Sequence, residues 1–168
     1  MSFTRKENIP TVAQWRDAEQ TVASLADLQG MAIDSRIADS VVALLALGFK
    51  TTASCAGHLD RGKAAPWIDI GVTAKKPKGI IKFRTNNLRA QQRLLALLGT
   101  FYQEHFVAAD IRLVLIPFGI FGGFTLTNQG SEVQAIFSRA QKRAKLTRFQ
   151  NEFSALASFV KNRINLKG

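Results

Sequence analysis

The chain has one cysteine and two histidines in 168 residues, and acidic residues are scarce over much of its length. A lone Cys55 excludes an internal disulfide, leaves folding to the apolar core and fits a reducing compartment. No run approaches the ~18 apolar residues that a membrane span needs, and no basic-then-apolar leader opens the chain. A cytoplasmic protein without a membrane partner is therefore expected. Residues 71–168 hold 4 acidic side chains against 16 basic ones, whereas residues 1–70 hold 8 and 7. The whole net charge of +11 thus comes from the second part, as in a molecule with one electropositive side. That asymmetry calls for a polyanionic partner such as RNA, DNA or a nucleotide. No Walker-type loop, helix-turn-helix, zinc finger or RNA-recognition signature accompanies it.

An apolar fraction of 46% is enough for one core without a metal or disulfide staple. Residues 1–10 read as a loose tail and 11–168 as a single domain. A modest helix is expected from Thr11 to about Gln29, closed by Gly30. A clearer one follows, capped by Asp34 or Ser35, with Ile37, Val41, Leu44 and Leu45 at helical spacing and Gly48 at its end. Phe49–Ser54, Trp67–Val72 and Ile80–Arg84 read as strands. Asn86 or Asn87 can cap a helix running to about His105, with Leu88, Leu95, Leu98 and Tyr102 on its buried side. Ile111–Ile116 and Phe124–Thr127 read as a hairpin around a glycine-rich turn.

Two capping-box patterns, at Ser131 and Thr147, open the C-terminal segment. The stripe Val133, Phe137, Ala140, Ala144 lies about half a turn from the stripe Phe149, Phe153, Leu156, Val160, at ~100° per residue. One straight helix cannot bury both, so a break near Leu146–Thr147 is expected. The order α-α-β-β-β-α-β-β-α-α implies an α+β layered domain, its helices packed on one face of a largely antiparallel sheet.

Reactive side chains concentrate in Thr51-Thr52-Ala53-Ser54-Cys55-Ala56-Gly57-His58 and the loop beyond it. Three chemistries fit. Cys55 and His58, spaced C-x-x-H, are a pair of metal ligands, but without a second cysteine the ligand count argues against zinc. The same two residues, with Asp60 or Asp69 as orienter, are a candidate nucleophile and base. Alternatively Cys55 is a small buried hydrophobe, Gly57 supplies a positive φ, and the turn's N–H groups hold a phosphate or carboxylate. The charge distribution favours this anion-binding reading, with Ser54, Gly57, Asp60, Trp67 and Asp69 around the ligand.

With Pro66-Trp67-Ile68-Asp69-Ile70 following it, this stretch resembles a group of small uncharacterised bacterial and phage proteins that share Ser-Cys-Glu/Ala-Gly-His. It is also similar to the Thr-Thr-Ser-Ser-Cys-Ser-Gly-Arg stretch of the wybutosine-synthesis tRNA methyltransferase family. Both likenesses cover roughly residues 33–70. The second implies an α/β fold and S-adenosylmethionine chemistry on RNA, with Ser54, Cys55 and Gly57 matching and His58 standing where that family has arginine.

Two acid-free clusters carry the excess charge: Lys75, Lys76, Lys78, Lys82, Arg84, Arg89 and Arg93, then Arg139, Lys142 and Arg143 with Lys145 and Arg148. The leading expectation is a small basic protein that binds RNA or a phosphate-rich nucleotide, with Ser54–His58 as the pocket. A rival is an S-adenosylmethionine-dependent RNA-modifying enzyme using Cys55 and His58. A third reading is a homo-oligomeric module built on the Phe-rich hairpin and the C-terminal helix.

Overall fold

The computed structural model describes residues 9–25, 30, 32–71, 80–120 and 122–165. Helix α1 spans Val12–Ser24 and opens on a capping box in which the Thr11 hydroxyl accepts from the Gln14 N–H at 3.2 Å. Trp15, Ala18 and Val22 form its buried stripe. Helix α2, Ser35–Ala46, is capped by Asp34, whose carboxylate accepts from the Arg36 N–H. Its residues Ile37, Val41 and Leu44 are buried to within 1% of full, as their spacing requires. Helix α1 thus stops five residues earlier than its composition suggested.

Strands β1 (Thr51–Cys55), β2 (Trp67–Ile70), β3 (Leu113–Phe118) and β4 (Gly123–Asn128) form one antiparallel sheet in the order β1-β2-β4-β3. Ile68 and Ile70 of β2 lie opposite Leu126 and Phe124 of β4, and this row enters the core. The alternate row, Trp67 and Asp69 opposite Thr127 and Thr125, belongs to the other face. Helix α3 (Ile80–Glu104) sends Leu94, Leu98 and Phe101 into the core, and helix α4 (Arg139–Asn165) sends Phe153, Leu156 and Val160. The fold is α+β, with the helices packed against the sheet's apolar face.

Three expectations change. Ile80–Arg84 is not a third strand but the first turns of α3, so the sheet has four strands. Five residues of apolar–basic alternation cannot distinguish a strand from a helix. The longer series Phe83, Asn87, Ala90, Leu94, spaced by three and four, decides it. Asn87 is accordingly an interior helical residue, 2% exposed, and not a cap. The second change is on the same helix: Leu88 and Leu95 are 53% and 50% exposed, while Leu94 and Leu98 turn inward.

The third concerns the break near Leu146–Thr147, where α4 is continuous. The Thr147 hydroxyl donates back to the Arg143 carbonyl within the helix. The chain breaks instead before Ser138, which forms a capping box with Gln141. Upstream, Gln129–Ile136 is a 3₁₀ helix. The two stripes never had to share one buried face, because Val133, Ala140 and Ala144 are all exposed.

Candidate functional site

The loop after β1 is fastened to α4 along most of its length. The buried Ala56 carbonyl accepts from Gln150 Nε2 at 2.8 Å. Gly57 has φ +85°, and a Cβ there would lie 2.7 Å from Leu146 Cδ1 and 2.8 Å from the Ala65 backbone. Only glycine meets both demands at once. The His58 N–H donates to the Lys63 carbonyl and closes the turn. At the loop's tip Asp60 pairs with Arg139, and Lys63 pairs with Glu132 of the 3₁₀ helix Gln129–Ile136. The Thr127 hydroxyl donates to the Pro66 carbonyl at 2.9 Å and holds the loop's return to the sheet.

This geometry separates the side chains that the sequence grouped. Cys55 lies opposite Trp67 and Ala53 opposite Asp69, so Cys55, Trp67 and Asp69 share the sheet face away from the core. Ser54 lies opposite Ile68, in the row that faces the helices. The half-buried Cys55 thiol accepts from the Gly57 N–H at 3.4 Å, a bond internal to the turn. Asp69 accepts from the Thr125 hydroxyl across the sheet. Among the described residues no group of three His, Cys, Asp or Glu side chains could hold a metal ion. Two N–H groups that an anion would need, those of Gly57 and His58, already have partners.

What the loop does meet is the basic start of α4. Arg61 and Lys63 on the loop, and Arg139, Lys142, Arg143, Lys145 and Arg148 on the helix, make seven cations against the three carboxylates Asp60, Asp110 and Glu132, which pair with Arg139, Lys145 and Lys63. Lys145 is hydrogen-bonded to Asp110 and holds its carboxyl below the usual range, with Arg148 adding to the effect. Lys142 and Arg143 have no acidic partner among the described residues. The first turn of α4 carries no acid, although a helix N-terminus favours negative charge.

The other cluster lies elsewhere. Asn87 of α3 sits against Gly71 and Gly122, at the end of the sheet opposite Cys55 and Trp67. Strands of this length separate the two ends by roughly 15 Å. Lys82, Arg84 and Arg89 are exposed on α3. Arg93 instead donates to the Leu47 carbonyl at 2.7 Å and lies over the Phe49 ring, so it fastens α3 to the end of α2. Lys75, Lys76 and Lys78 lie outside the described residues.

Two features escaped sequence reasoning. Glu152, 3% exposed on α4, accepts from the Tyr102 hydroxyl at 2.7 Å and lies 2.9 Å from His105 Nε2, while the Leu113 N–H donates to Tyr102. The joint ties α3, α4 and β3 together. Burial, reinforced by Glu152, raises the pKa of the phenol above its ordinary value of 10.0. The second is the 3₁₀ helix, whose amphipathicity is inverted. Ser131 and Gln134 are buried, with Ser131 Oγ and both Gln134 side-chain amide atoms lacking partners among the described residues, while Val133 and Ile136 are 54% and 82% exposed. A period of three, in place of 3.6, would have been the signal.

Comparison with protein-family models, curated proteins and solved structures found no match to this chain. No helix among the described residues is long and apolar enough to cross a membrane.

Proposed function

We propose that the protein binds RNA, or a phosphate-rich nucleotide, along the start of α4 and the rim of the Cys55–His58 loop. The observation that carries this reading is the cationic first two turns of α4. Lys142 and Arg143 stand there without acidic partners among the described residues, at a helix end whose dipole favours anions. The dipole disfavours cations most in the first turn, and an anion bound there would reverse the sign of that interaction. The fastened loop adds Arg61 and Lys63, so that over the loop and the helix seven cations exceed the three carboxylates Asp60, Asp110 and Glu132 by four. The loop supplies the rim of the site and α4 supplies its charge. A thiol bonded within its own turn gives the methyltransferase reading of Cys55 no comparable support.

Fluorescence anisotropy with a short labelled single-stranded RNA tests this. With four phosphates neutralised, log K should fall with log salt at a slope of about −3. Reversing both cations, Lys142→Glu with Arg143→Glu, should weaken binding roughly tenfold or more. Binding that ignores salt, or that survives the double reversal, would count against the proposal.

A further inference from the structure

Helix α3 carries a second apolar stripe that the body of the protein does not use. Its inward stripe, Asn87, Leu94, Leu98 and Phe101, is at most 5% exposed and is sufficient to dock the helix. Outside, Ile81, Leu88 and Leu95 are 82%, 53% and 50% exposed. They are spaced seven apart, so each lies within ~20° of the previous one around the helix axis and the row runs for about 21 Å. Gly99 continues the line, with open space above it. Arg84 borders the row on one side and Lys82 and Arg89 border it on the other, all exposed. The only acid in α3 is Glu104, and it pairs with Arg163 at 2.9 Å.

We infer that this face is a docking site for an acidic amphipathic helix of a partner protein. An aliphatic seam flanked by charge of one sign is half of a helical pair, whose other half presents aliphatics at the same seven-residue spacing and Asp or Glu beside them. Charge complementarity selects this occupant. A second copy packing this same face would bring three more cations to the seam, and its α3 has no carboxylate except the paired Glu104. A nucleic acid would find phosphate contacts but no aromatic platform, since the seam is wholly aliphatic. The inference does not rest on the α4 site, which lies toward the opposite end of the sheet.

The test uses the full chain and two designed peptides of about 21 residues, three heptads with isoleucine and leucine at the seam. One peptide has glutamate at the flanking positions and the other has lysine. Calorimetry should show binding of the glutamate peptide and none of the lysine peptide. Leu88→Gln with Leu95→Gln should weaken that binding at least tenfold while leaving the circular dichroism spectrum unchanged, because both side chains already face solvent. Arg84→Glu with Arg89→Glu should transfer preference to the lysine peptide. Equal binding of the two peptides, or binding that survives the leucine substitutions, would overturn the inference. So would a dimer mass by light scattering that returns to monomer in the Leu88→Gln, Leu95→Gln variant, which would make a second copy the occupant.

Discussion

Helices α3 and α4 are both long, both basic and both start without an acidic residue in the first turn, yet they present different surfaces. Between the cations of α4 the exposed apolar residues are only Ala140 and Ala144. Between those of α3 stand an isoleucine and two leucines. Positive charge by itself names no partner, because phosphate and carboxylate attract it alike. The side chains between the charges decide. Alanines allow a hydrated phosphate backbone to approach, whereas aliphatics reward a surface that can itself be desolvated. The second difference is anchorage: α4's basic start is fixed by Asp60 and Asp110, while Lys82, Arg84 and Arg89 have no acidic partner among the described residues.

The largest effect on stability and RNA affinity together should come from uncoupling the loop from α4. Gly57→Ala forces an L-residue into a left-handed backbone, about 1–2 kcal/mol, and drives its Cβ into Leu146 and the Ala65 backbone, about 1–3 kcal/mol more. A loss of about 3 kcal/mol in urea unfolding is expected. RNA affinity should fall with it, while the glutamate peptide still binds α3. Loss of both binding activities in a variant that remains folded would mean that the two basic helices are not independent sites.

Within α3 the two stripes can be set against each other. Leu94→Ala removes a fully buried side chain and should cost about 2–5 kcal/mol. Leu88→Ala, one helical row away, should cost no more than about 0.5 kcal/mol. Equal costs would mean that Leu88 is covered in solution and that the seam is not a free face.

The sequence-derived assignment of Leu88 and Leu95 to the core shows where such reading fails. An aliphatic at helical spacing says that some surface is buried against it, without saying whether that surface belongs to the same chain. Two rival stripes on one helix are resolved only by what the rest of the fold brings alongside. The α+β class, the hairpin and the faces of α2 were legible because each rested on one unopposed pattern. The short stretch Ile80–Arg84 was not, since five residues fit either period. At the site, the charge asymmetry was plain from acid counts. The fastening of the loop to Leu146 and Gln150 is a contact across some ninety residues of chain, and local spacing carries no record of it.

The joint between the two helices offers the most delicate measurement, because Tyr102 is the chain's only tyrosine. Its phenol is kept protonated chiefly by burial, with the hydrogen bond and charge of Glu152 acting in the same direction. The Leu113 N–H opposes them, second only to burial in weight, and Arg112 adds a smaller pull in its direction. A group whose pKa is raised on folding contributes stability that is complete below its unfolded value, near 10.0, and is lost as pH climbs towards the folded one. Tyrosinate absorbance should therefore stay absent past the ordinary range of the side chain and appear together with loss of helical signal. Glu152→Gln keeps an acceptor for the phenol but removes the charge, so it should bring the titration to lower pH and loosen α3 from α4. Phenolate that forms near pH 10 in the intact fold would show that Tyr102 is solvated, and that its bond to Glu152 does not hold the two helices together.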